Sequence, residues 1–221
     1  MKPVNVNAFD VIGDFVANAR IPFGCAVRRA AAGKVDIAYD GGIPYHAIVG
    51  IVDWDLVEKT ADGFYSQYDV VPIITAGRAR VWVLGHQTSI VEGGFLKSAD
   101  LGSPACGVFD KEATITTRTA DSLAKVLEDP TGLLHADFGD KVPAGAAGSS
   151  ITMASADVVT AMKLSAGDYI AIGNTGGNEA EINRVKSTSD AVITTQESLA
   201  QTYTHANCKV YKLVQLEVLL L

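Results

Sequence analysis

Apolar and polar residues alternate in short runs along most of this chain, and apolar positions at helical spacing are scarce. Alternation with period two places every second side chain on one face, as in a half-buried strand. In KVDIAYD (34–40), Val35, Ile37 and Tyr39 share one face while Asp36, Ala38 and Asp40 share the other. HAIVGIVDW (46–54) predicts a buried strand with Gly50 where a backbone or bulge comes close. IPFGCAVRR (21–29) predicts a strand interrupted at Gly24, and the β-branched run ATITTRT (113–119) predicts another. Beyond residue 150, SITMAS, SAGDYIAIG, EAEINRVKS, AVITTQESL and CKVYKLVQLEV predict short strands, with one or two helical turns at ADVVTAMK (156–163). The pattern implies an all-β protein: a barrel or sandwich-like main domain over 21–142, a small-residue linker at 143–149 and a small antiparallel β module over 150–221. Residues 1–20 fit a helix through Phe9, Ile12, Phe15 and Val16, or an extended arm that packs on a neighbour.

The clearest local signal is YDVVPIITAGRARVWVL (68–84). Two β-branched runs, 70–75 and 79–84, flank Ala76-Gly77, and Gly77 can supply the positive φ of a tight reversal. This predicts a hairpin. Pro72 cannot donate to a ladder, so its strand is expected to be an edge strand or to carry a bulge, and an edge can recruit another chain. Arg78, Arg80, Trp82 and Leu84 fall on one face, with Ala79, Val81 and Val83 on the other. Aromatics beside arginine are typical of interface centres. The alternating end Val214, Leu216, Val218, Leu220 predicts either a last core strand or a strand offered to a partner. Residues 124–138 fit a helix broken at Pro130 or a hairpin turned at Asp129-Pro130-Thr131-Gly132, and the turn chemistry of Pro followed by Gly favours the hairpin. The contact candidates are Phe9, Phe15, Pro72, Arg78, Arg80, Trp82, Leu216, Val218 and Leu220.

Charge and chemistry narrow the picture. A net charge of −7 argues against a nucleic-acid groove built from this chain alone. No apolar run approaches a membrane helix and the amino terminus lacks the apolar core of a signal peptide, so a soluble product of a reducing cytoplasm is expected, its three scattered cysteines read as buried thiols. The glycine-rich GNTGGN (173–178) is followed by an acidic, strand-like segment, which favours a hairpin turn over a phosphate cradle. His135 with Asp137, and Asp53 with Asp55, each form a pair without a third ligand nearby, and no GxSxG elbow occurs. No cofactor, metal site or catalytic set is therefore expected. Two further readings are a carbohydrate- or ligand-binding module using Trp54, Trp82 or GNTGGN, and, behind it, a hydrolase assembled from Cys106, His135 and Asp137.

The order VIGDFVANARIPFGCAV, HAIVGIVDWD, YDVVPIITAGRARVWV, IVEGGFLKSADLGSPACGVFD and SLAKVLEDPTGLLHADF resembles the structural cement, or capsid decoration, proteins of tailed viruses over roughly residues 10–139. That pattern has a glycine before the acidic residue that opens its hairpin, and here Tyr68 stands before Asp69. The resemblance implies a non-enzymatic virion protein, made in the host cytoplasm, that sits on the capsid surface as a homotrimer. Its partners would be the major capsid protein and copies of itself, with no direct nucleic acid and no membrane. Residues 21–142 would bind the shell.

Overall fold

The computed structural model describes residues 9–38, 48–53, 64–99, 107–139, 141–174, 180–203 and 208–221, with backbone alone for 9–14 and 174. Among them, strands dominate: β1 (Phe9–Ala17), β2 (Ile21–Pro22), β3 (Ala26–Ala31), β4 (Lys34–Ile37), β5 (Ile48–Val52), β6 (Phe64–Tyr65), β7 (Val70–Leu84), β8 (Phe95–Ser98), β9 (Phe109–Lys111) and β10 (Ala124–Val126). The second half adds β11 (Pro143–Ala147), β12 (Ser150–Met153), the short helix α1 (Ala156–Ala161), β13 (Tyr169–Asn174), β14 (Ala180–Ser189), β15 (Val192–Thr195) and β16 (Cys208–Leu220). The all-β expectation holds.

The strand pairings close on themselves. The series β1-β4-β3-β5-β7 returns to β1, and the series β7-β9-β8-β10-β16 returns to β7. A third series, β16-β13-β14-β15-β12-β11, is brought back to β16 by a bridge between Lys141 and Val210. Closure removes free edges, which is how small antiparallel proteins avoid open ladders. Each ring has its own apolar filling. Phe15, Ala17, Val27, Val35, Val52, Val71 and Ile73 fill the first, beneath the β2–β6 ribbon. Val81, Val83, Leu96, Phe109, Val126, Leu216 and Val218 fill the second. Ile151, Met153, Ile170, Ile172, Val185, Ile193 and Val210 fill the third. A fourth cluster, with Trp82, Phe64, Tyr169, Tyr211 and Leu213, packs the barrels against one another.

Two strands serve two barrels each. The first half of β7 pairs with β1 and β5, and its second half runs along β16 from Gly77↔Leu220 to Leu84↔Leu213. The expected hairpin at Ala76-Gly77 is therefore one continuous 15-residue strand. Gly77 does adopt a φ of 91°, yet it lies where the pairing of β7 passes from β1 to β16 and does not reverse the strand. The edge expectation for Pro72 also fails, because this stretch has β1 on one side and β5 on the other. The bulge lies in β1 and not in the strand of Pro72: Gly13 and Asp14 of β1 face Pro72 alone, and the Pro72 carbonyl accepts from the Asp53 N–H.

Other expectations sort along the same lines. Gly50 lies so tightly on Ile74 that a Cβ would collide with its carbonyl oxygen, as the close-approach reading required. Residues 143–149 are no linker: 143–147 form β11, paired with β12 through a turn at Gly148. Residues 113–119 form turns and no strand. Residues 130–133 turn as expected, with Asp129 accepting from the Thr131 N–H and hydroxyl, but no return strand follows; β10 pairs with β8 and β16. Phe9–Ala17 is a strand laid on β7 and β4 of its own chain, so neither the helix nor an arm reaching a neighbour describes it. Cys25 and Cys208 are buried, and burial pushes the Cys208 thiol up to about 12. Cys106 lies outside the described residues.

Candidate interaction surface

The outer face of the β7–β16 ribbon carries three of the residues expected to make contacts, Arg78, Arg80 and Trp82. Register sets Leu84 against Leu213, Trp82 against Gln215, Arg80 against Glu217 and Arg78 against Leu219. The first two rows are covered by the inter-barrel cluster. Trp82 stacks on Tyr169 with centroids 4.6 Å apart, and Tyr169 in turn lies 6.0 Å from Phe64. Trp82 is thus interior, which takes it out of both the contact set and the ligand-stacking reading. Its indole N–H is buried without a hydrogen-bond partner among the described residues.

The last two rows emerge into solvent. Arg78 and Arg80 are exposed, and Arg78 reaches diagonally to Glu217 at 3.2 Å. An ion pair this exposed contributes under about 1 kcal/mol, so it can be exchanged for a partner's carboxylate at small cost. Arg80 has no carboxylate partner among the described residues. Val52, Asp53, Ile74 and Ala79 join these three side chains around a shallow depression of about 300 Å³. Leu219 beside it is 38 % exposed. Glu217 and Leu219 were not singled out from sequence, although the alternation of β16 places them on one face opposite the arginines.

The remaining candidates divide by face. Leu216 and Val218 are fully buried in the second barrel, so the end of the chain is a core strand of its own subunit and offers no strand to a neighbour. Leu220 is half-buried against the same core. Phe15 points into the first barrel, and Phe9 pairs opposite Gly77 through its backbone. Pro72 is half-exposed on the outer face of that barrel.

Groups with possible chemistry do not converge. His135 accepts from the Asp137 N–H through Nδ1 at 3.2 Å, and Lys141 donates to Asp137 at 3.2 Å, which makes a local cap on the 3₁₀ turn 136–138. No group of three or more potential metal ligands occurs among the described residues. Asp110 is raised by burial against the pull of its bond from the Lys111 N–H and of nearby His86, Lys97 and Lys111. His46, Trp54, Asp55, Cys106, His205 and the loop 175–179 lie outside the described residues, while the strands flanking that loop pair from Gly173↔Ala180 onward. No family model matches the chain, and no curated protein is detectably similar to it.

Proposed function

We propose that this protein is a non-enzymatic structural component of a virion, which decorates an icosahedral capsid and stabilises it by bridging neighbouring shell subunits. The observation that carries the reading is the sharing of β7 and β16 between barrels. A cement must pass force from one contact to another without yielding. Here a contact on the first barrel is joined to one on the third by continuous strands, with eight consecutive register pairs between β7 and β16. Such a ladder must be sheared all at once before the body gives. The resemblance over residues 10–139 points the same way, and the net charge of −7 suits an exterior position away from genome phosphates.

The closed ladders restrict how such a protein would attach. Strand addition at β7 is blocked by its own neighbours, so attachment would use side chains on barrel faces, the Arg78–Arg80–Glu217 depression among them. Several such contacts, each modest, add into stable binding when one rigid body presents them together. Co-sedimentation with purified shells, alongside solution mass from light scattering, tests the proposal. The expected result is saturable association with shells by a trimer; a monomer that stays in the supernatant at all shell concentrations overturns it.

A further inference from the structure

We propose that Tyr68 anchors the face by which this chain docks on a shell subunit, a face made of Tyr68, Val70, Val16 and Lys34 on the outside of the first barrel. The inference rests on the shell-binding reading above and adds to it the docking site and its chemistry. Register builds the face. Val16 of β1 pairs with Lys34 of β4 on one side and with Val70 of β7 on the other, so the three side chains point the same way. Their neighbours Phe15, Ala17, Val35 and Val71 fill the barrel, which sends this row outward. Tyr68 adjoins it, with the Lys34 ammonium 5.2 Å from its ring centroid.

Tyr68 and Val70 are the most exposed large apolar side chains among the described residues, at 65 % and 51 %. Tyr68 also holds a φ of 73°. A bulky residue in that region is strained, and such strain persists only where the surroundings impose it. They do so here. The Tyr68 N–H donates to the Ala17 carbonyl at 2.8 Å, Ala17 donates to the Asp69 carbonyl, and the Ser66 N–H donates to the Asp69 carboxylate. Gln67 ties the turn to the Asn18 carbonyl at 2.8 Å. None of these bonds uses the tyrosine side chain. Glycine would satisfy the turn without strain, so the ring is not there to build the fold.

An exposed aromatic on a rigid, over-determined turn loses little freedom on binding, which is what an interface anchor requires. Lys34 has no carboxylate partner among the described residues. The face therefore fits an apolar socket bordered by a carboxylate on the shell subunit, which would receive the ring and meet the ammonium.

The test uses the full chain and purified shells, co-sedimented across a titration, with thermal midpoints and light-scattering mass for each variant. Tyr68→Gly is expected to melt at or about 2–4 °C above the parent, through relief of the strained φ, while its apparent affinity for shells falls about tenfold or more. Tyr68→Phe keeps the ring and is expected to bind within about twofold of the parent, since hot-spot aromatics act mainly through buried area. Lys34→Glu should weaken association without lowering the midpoint. Tyr68→Gly that binds like the parent overturns this inference and leaves the shell reading standing. A lowered midpoint makes the tyrosine structural, and a fall in oligomeric mass makes the occupant a second copy of this chain; either result overturns the inference. A parent chain that ignores shells removes the shell reading and this inference together.

Discussion

Gly50 and Trp82 each occupy space that no other residue type can fill at the same cost. A Cβ at Gly50 would collide with the Ile74 carbonyl oxygen and crowd the Ile73 side chain, so Gly50→Ala must push β5 away from β7. Such overpacking is expected to cost about 1–3 kcal/mol. Gly145 on β11 has nothing within 4 Å of the same point, and Gly145→Ala should leave the urea midpoint nearly unchanged. Equal losses for the two would remove the close-approach account. Trp82, stacked on Tyr169 and 7 % exposed, makes a different forecast. Trp82→Ala should lose about 3–5 kcal/mol of stability by denaturant unfolding. Trp82→Phe should lose much less, since the buried indole N–H has no partner to forfeit among the described residues. A stable Trp82→Ala variant that fails only in binding would return this residue to the surface set.

At the scale of elements, the segment 113–119 explains where a sequence reading fails. Its β-branched residues favour a strand, but the buried Glu112 carboxylate accepts from the Thr119 hydroxyl at 2.8 Å and the Ser122 hydroxyl at 2.7 Å. Ser122 Oγ also accepts from the Thr119 N–H. Side-chain bonds of this kind compete with ladder formation and draw the stretch into a closed loop. Glu112→Ala is expected to strand both hydroxyls, cost about 1–3 kcal/mol and open residues 113–122 to limited proteolysis; an unchanged digestion pattern would sink that account. Short strands with alternating patterns, such as β13 to β16, were legible because the signal is local and period-two. Of their pairings, only the β13–β14 hairpin was, through its glycine-rich turn. Gly77 had the positive φ that a hairpin also demands, and only Phe9 on one side and Leu220 on the other decide for a continuous strand. The small residues of 143–147 lack a strand signature and are held as β11 by β12. For the candidate surface, the face of Arg78 and Arg80 could be read from alternation, but not that Trp82 two residues on is covered by Tyr169. That depends on residues nearly 90 positions apart.

For the whole molecule, shared strands predict shared fate. β16 gives its first half to β13 and its second to β7, so the third barrel cannot lose that strand without opening the second. Calorimetric and spectroscopic unfolding should coincide in one transition; two separated transitions would mean that the barrels are only loosely joined. The contact between first and third barrels adds a pH signature. Arg20 lies over Phe64 at 3.5 Å and 3.7 Å from Glu197, with Glu181 near it on β14. Burial raises Glu181 above the ordinary carboxylate range, against the bond from the Ala200 N–H and the pull of Arg20. A carboxyl raised in the folded chain holds its proton more tightly there than when unfolded. Folding then takes up protons between the ordinary value and the raised one, so this contribution grows as pH falls through that window and is lost as pH climbs above it. The difference between the parent and variant curves isolates the contribution of Glu181. Glu181→Gln keeps an acceptor for Ala200 and removes the buried charge. It should be as stable as the parent or more so at neutral pH, with the advantage shrinking as pH drops into the carboxylate range. A variant that is less stable at neutral pH and converges on the parent only in acid would mean that attraction to Arg20 outweighs burial, and that the two barrels are held together there by charge.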